Sequence, residues 1–184
     1  MSPNLRLFFA VAATCFLLDQ GSKQWVLANI DPYGSIEVFG NLFYLTNVRN
    51  PGAAFSMFAD ASNAFRQFFF VGVGGLAIGM IVSFYRSLSP GDRLAAAALG
   101  SILGGALGNL FDRVFRGEEF FLGGVVDWLH VRLWTGGSFP DFNFADSFII
   151  IGVALLVFEL FTAEGELDAD AGDDPRGSED EAPA

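Results

Sequence analysis

The sequence predicts an α-helical membrane protein, with four transmembrane helices and a small, partly β element outside the bilayer. Three observations predict it. Of 184 residues, 52% are hydrophobic and only 17% charged, with a mean hydropathy of +0.44, less charge than an ordinary soluble domain carries. Four stretches approach the roughly 20 apolar residues that a span requires. The 22 Phe suit a surface that faces lipid.

The first span covers about residues 5–28. It opens like a signal peptide, but the apolar run continues past Asp19 to Leu27 and no small-x-small cleavage site follows. It therefore reads as a retained span. The second covers about 65–85, the third 94–113 and the fourth 144–162. A tight polar turn around Ser89-Pro90-Gly91 joins the second to the third. The other connections, about 29–64 and 114–143, are longer. The first holds β-like runs, "SIEVFGNLFYLTNV", punctuated by Gly. Gly100, Gly104 and Gly108, with Gly105 beside them, form a small-residue stripe on the third span, and Gly75 and Gly79 recur on the second. Both sets predict close helix packing.

The net charge of −11 is unevenly placed. Nine of the 21 acids lie in residues 164–184 with a single Arg, leaving the body at a net −3. That tail has almost no large apolar residue and is expected to be disordered, with no catalytic role. No basic stripe points to nucleic acid. A single cysteine, Cys15, excludes an internal disulfide and a Cys-rich zinc site, and a single histidine, His130, excludes a paired-His metal motif. No metal or cofactor is expected.

Topology collects the polar residues at one membrane face. Asp19 and Lys23 lie toward the end of span one, Asn109, Asp112 and Arg113 at the end of span three, and Asp146 at the start of span four. Spans one and three run in parallel and span four returns, so all sit opposite the short turn. Both long connections emerge there and bring Asn50, Asp127 and His130. Each residue also has a plain structural reading. Asp19 and Lys23 have the spacing of an intrahelical ion pair. Asp112 and Arg113 suit a helix end. Asn143 suits an N-cap with Asp146 in the first turn. Asp127 suits an edge position beside an interfacial Trp. Jointly, two acids frame one connection at the polar face. Close carboxylates share a proton and split their pKa values, which suits water activation and carbonyl protonation in peptide hydrolysis. Three rivals remain at this point. One is a Ser-Lys peptidase using Ser22 or Ser56 with Lys23. Another is a small ion or proton-coupled transporter, since intramembrane acids also mark ion paths. The third is a purely structural membrane protein. Basic residues flank both faces, so charge does not orient the chain.

Five segments carry a family resemblance: "LDQGSK" at 18–23, "VRNPGAAFS" at 48–56, "GGALGNLFDRV" at 104–114, "VVDWL" at 125–129 and "FNFADS" at 142–147. In order and spacing they resemble lipoprotein signal peptidase (signal peptidase II), a bacterial membrane aspartic protease family. The resemblance covers about residues 5–162; the tail and "RLWTGGSFPD" look individual to this chain. It implies that Asp127 and Asp146 are the catalytic dyad. It implies that Asp19, Lys23, Asn50, Gly52, Gly108, Asn109, Asp112, Arg113, Asn143 and Ala145 bind substrate or support the site. The implied substrate is a prolipoprotein signal peptide, cut just before a diacylglyceryl-modified Cys. The implied setting is the bacterial cytoplasmic (inner) membrane, with cytoplasmic termini, the site at the outer leaflet and lipid as a partner. A monomer is the expected state.

Overall fold

A computed structural model describes residues 2–52, 62–117 and 120–172. Four helices are long and apolar enough to cross a membrane. Helix α1 spans Pro3–Asn29, α2 Asn63–Ser87, α3 Arg93–Phe115 and α4 Phe144–Gly172. Local chemistry starts them where the sequence suggests. Ser2 Oγ accepts from Leu5 N at 3.2 Å, with Pro3 in the first turn, and Ser62 Oγ accepts from Phe65 N at 3.2 Å. In the turn between α2 and α3, Asp92 Oδ2 instead accepts from Ser89 N at 2.8 Å.

The two long connections meet in one sheet. Strands β1 (Ser35–Phe39), β2 (Phe43–Asn50) and β3 (Val125–Val131) pair antiparallel in that order. A register shift between Leu45 and Val48 sets Val48 opposite Asp127. Alternation along β3 divides its faces. Val126 and Trp128 join Val26 and Ile30 of α1 in a buried apolar cluster, so Asp127 points the other way.

Helix α3 is the axis, touching α1, α2, α4 and β3. Its glycines explain how. A Cβ at Gly100 would lie 2.6 Å from Phe8 O and one at Gly104 2.6 Å from Ala12 O, so this face admits the α1 backbone. A Cβ at Gly105 would collide with Ala145 O of α4. Near the short turn, Phe8, Ala12, Ile81, Leu99 and Leu103 pack a second apolar cluster.

Two expectations are corrected. A Cβ at Gly75 or Gly79 would meet nothing within 4 Å among the described residues, so these glycines make no close helix approach there; α2 lies on α3 through Ile78 and Ile81. Residues 164–172, expected to be disordered, continue α4. They hold two Ala, two Glu and one Leu beside two Gly and two Asp, and the helix continues because no Pro interrupts it before Pro175. The apolar part of α4 still ends at Thr162. Residues 173–184 lie outside the described residues.

Candidate active site

The site forms where the sheet meets the ends of α1 and α3 and the start of α4. Asn143 organises it. Its side-chain Oδ1 accepts from Asp146 N at 3.1 Å, and its own N–H donates to Asp146 Oδ2 at 3.1 Å. This reciprocal cap starts α4. Its Nδ2 reaches the other way, donating to Asp127 Oδ1 at 2.7 Å and to Val126 O at 3.3 Å. Asn143 therefore touches both acids of the expected dyad.

Each acid has a further amide donor. Asn50 Nδ2 donates to Asp127 Oδ2 at 2.9 Å, while Asn50 Oδ1 accepts from Gly52 N at 2.9 Å. Asn109 Nδ2 donates to Asp146 Oδ1 at 2.8 Å. Asp127 is buried. Burial pushes its carboxyl up to about 7; the nearby Asp146 adds to the rise, and the Asn50 and Asn143 hydrogen bonds and the Lys23 charge oppose it.

Beneath the pair lies a closed ionic cluster. Lys23 Nζ stands 2.8 Å from Asp19 Oδ2, 2.9 Å from Asp112 Oδ2 and 3.0 Å from Asn109 Oδ1. Lys23, Asp19 and Asp112 have no exposed side-chain surface. The expected intrahelical pair is present, but it is half of a larger arrangement. Asp19 Oδ1 accepts from Ala145 N at 2.9 Å, and Asp112 Oδ2 from Val126 N at 3.1 Å. The two carboxylates thus hold the backbone immediately before Asp146 and Asp127. A side chain at Gly108 would collide with Asp19, so this glycine makes room for the cluster.

Arg113 donates to Gln67 Oε1 at 3.2 Å and lies over the Phe70 ring, 4.8 Å from its centroid. It stands within electrostatic reach of Asp127, Asp112 and Asp146. Gln67 also donates to Pro51 O at 3.3 Å, tying α2 to the end of β2. Gly52, at φ +89°, lies so close to Phe70 that any side chain would clash.

All twelve site residues expected from the sequence gather here. His130 does not; it pairs with Asp141 and packs edge-on to Tyr44. Ser22 Oγ is spent on Asp19 O at 2.8 Å. Ser56 lies outside the described residues. The sequence reading missed Gln20, Gln67 and Arg116. Gln20 donates to Asp19, Gly108 O and Asp112. Two signals were available: a lone Gln at the head of an apolar span, and an Asp112–Arg116 spacing of four.

A family model for "Signal peptidase (SPase) II" matches residues 11–162. The chain belongs to the signal peptidase II family. It is accordingly a protease, and its four apolar helices make it a multi-pass membrane protein. It is 44% identical to the lipoprotein signal peptidase of Geobacter sulfurreducens over 164 residues, covering 89% of this chain and 97% of the relative. It is 40% identical to that of Yersinia enterocolitica over 159 residues, covering 85% and 87%. A solved structure titled a bacterial membrane enzyme, determined by the in meso method, superposes with a TM-score of 0.70 at 29% identity, over 83% of this chain and 91% of that one.

Proposed function

We propose that this signal peptidase is an aspartic endopeptidase that uses Asp127 and Asp146 to cut prolipoproteins just before a diacylglyceryl-modified Cys. The observation that carries the reading is Asn143 bridging the two acids, with Asp127 raised to about 7 by burial first. At neutral pH the pair then carries one shared proton.

The chemistry needs no covalent intermediate. The ionised carboxylate takes a proton from water, whose oxygen attacks the scissile carbonyl carbon. The protonated carboxyl gives its proton to the carbonyl oxygen, forming a neutral gem-diol. Collapse breaks the C–N bond: the proton taken from water passes to the leaving nitrogen of the lipidated Cys, and one gem-diol hydroxyl returns its proton to the carboxylate that gave it as the new carboxyl C=O forms. The pair ends with one proton, as it began. Asn50, Asn109 and Asn143 hold the carboxylates during these transfers, and Arg113 biases their charge. Gly52, Gly108 and Ala145 admit the close backbone approaches that bring the parts together.

The substrate sets the depth of the site: its signal peptide is a membrane helix and the residue after the cut bears lipid. Among the described elements α2 packs along α3 and not on α4. This supports lateral access between α2 and α4, the side on which Arg113, Phe70 and Asp146 lie. The polar face belongs at the outer leaflet of a bacterial cytoplasmic membrane, with both termini cytoplasmic and the chain a monomer. Against the Ser-Lys rival, Lys23 Nζ is enclosed by Asp19, Asp112 and Asn109, and Ser22 Oγ is spent on Asp19 O.

Cleavage of a diacylglyceryl-modified prolipoprotein in liposomes tests the assignment. Wild type is expected to cut before the lipidated Cys, and folded Asp127→Asn and Asp146→Asn proteins to be inactive. Normal turnover by either variant would sink the dyad and reopen the transporter reading, which ion flux in proteoliposomes would decide.

A further inference from the structure

The buried cluster beneath the dyad does not balance its own charge. Asp19 and Asp112 bring two negative charges and Lys23 one positive, all without exposed side-chain surface. An uncompensated buried charge is costly. The cation in direct contact with the cluster's outer side is Arg116, one turn beyond Asp112 at the C-cap of α3. Its Nε lies 2.8 Å from Asp112 Oδ1, and its side chain is only 13% exposed. Its Nη2 donates to Gln20 Oε1 at 2.9 Å and its Nη1 to Gln24 Oε1 at 3.3 Å. Gln20 returns to the cluster, donating to Asp112 Oδ1 at 3.2 Å and to Asp19 Oδ2 at 3.0 Å.

Asp112 divides its two oxygens. Oδ1 faces Arg116 and Gln20; Oδ2 faces Lys23 and the N–H of Val126. Val126 is fully buried and immediately precedes Asp127. The Asp112 carboxylate therefore accepts from the strand N–H immediately before Asp127. Fixing Oδ1 fixes the plane of the carboxylate, and with it the position of Oδ2 and of β3.

We propose that Arg116, clipped in place by Gln20, is a positioning residue for Asp127, acting through Asp112 and the backbone of Val126. The inference rests on the dyad reading above. Arg116 lies outside the five sequence segments that carry the family resemblance, so nothing in those motifs assigns it this role.

Kinetics on the full-length protein in liposomes, with the lipidated prolipoprotein, tests it. Arg116→Met should lower kcat on the order of tenfold, since small misplacements of a catalytic group cost that much or more, with KM changed by less than about twofold. Its pH profile should also move to higher pH. The charged groups around Asp127 are Lys23 on α1, Asp112 and Arg113 on α3, Asp146 on α4 and Arg49 on β2. Removing a cation from Asp112 makes that field more negative and favours the protonated acid. Arg116→Lys, which keeps the charge, should recover most of kcat and the wild-type profile. A Met variant with wild-type kcat and profile overturns the proposal. So does a Lys variant as slow as Met with both profiles unmoved, which would mean that bulk alone matters. If Arg116→Met does not fold, Gln20→Met decides: a several-fold fall in kcat at constant KM supports the proposal, and wild-type kcat overturns it. Asp127→Asn run in parallel separates the failures. Its activity would sink the dyad itself, whereas an inactive Asp127→Asn beside an unaffected Arg116 series sinks only the positioning role.

Discussion

The two ends of this bundle are built from the same four helices and packed on opposite principles. At the short-turn end, Phe8, Ala12, Ile81, Leu99 and Leu103 meet in an apolar cluster. At the sheet end, Asp19, Lys23, Asp112, Asp127 and Asn143 are all buried within a few residues of one another's contacts. The first arrangement is what lipid-embedded helices do by default: small residues and close packing. The second concentrates expensive groups, each satisfied by a specific partner. The difference teaches where the chain concentrates its specificity. The turn end needs shape; the sheet end needs every donor and acceptor in register.

Removing the hub of the charged end should give the largest effect on stability. Lys23→Met leaves Asp19 and Asp112 facing each other in a dry site. Breaking a buried pair this way costs about 3–5 kcal/mol. Thermal unfolding in detergent should show a large fall in Tm, together with loss of cleavage, because both acids release the backbone before Asp127 and Asp146. A Met variant as stable as wild type would mean that the cluster is hydrated and its charges are individually solvated.

Next in size is a dependence on pH that only the sheet end can produce. Asp127 is raised to about 7 in the folded protein, against about 3.9 for an unfolded Asp. The folded state therefore holds a proton that the unfolded chain has lost between those values. The associated stability is fully present below about pH 4 and is lost as pH rises through 7. The slope approaches about 1.4 kcal/mol per pH unit within that window. Wild type should lose stability relative to Asp127→Asn as pH rises from about 4 to 7. Parallel curves for the two proteins would remove Asp127 as the group responsible.

How much of this contrast was written in the sequence depends on the range of each interaction. The four spans, the β-like runs and the reciprocal cap of Asn143 and Asp146 were legible because periodicity, hydropathy and capping act within a few residues. The gathering of acids at one face was legible because span direction alone decides it. What local spacing could not give was which partners meet across the fold. The Asp19–Lys23 pair was visible at its spacing of four, but its sharing with Asp112 requires α1 and α3 to touch. Gln20, Gln67 and Arg116 looked like ordinary polar residues for the same reason. Gly75 and Gly79 failed as packing signals because, among the described elements, α2 meets only α3, and these glycines lie away from that contact.

A smaller effect is expected at the apolar end. Leu103→Ala empties part of the cluster with Phe8 and Leu99. The cost should be about 2 kcal/mol, at the low end of the range for buried Leu, since packing rather than transfer from water drives association between helices in lipid. Catalysis should be unchanged in kcat, KM and pH profile. A shift in the pH profile would show that the two ends are coupled through α3, and the contrast drawn above would fail.

The smallest effect is expected beyond the last span. The apolar part of α4 ends at Thr162, and the helix then runs on through acidic residues to Gly172. Those residues sit at the opposite end of α4 from Asp146. Their charge is separated from the proposed dyad by the length of a membrane-spanning helix, several times the Debye length at physiological salt. Truncation after Gly165 should therefore leave cleavage in liposomes within about twofold of wild type, with the same pH profile. The sharper measurement is the same truncation assayed in liposomes carrying a membrane potential. Acids weigh little on orientation, so the fraction of correctly oriented enzyme should be unchanged as well. Normal kcat with an altered fraction of correctly oriented enzyme would assign the tail to insertion. A fall in kcat would require a path from the tail to the sheet end that the packing of α4 does not provide.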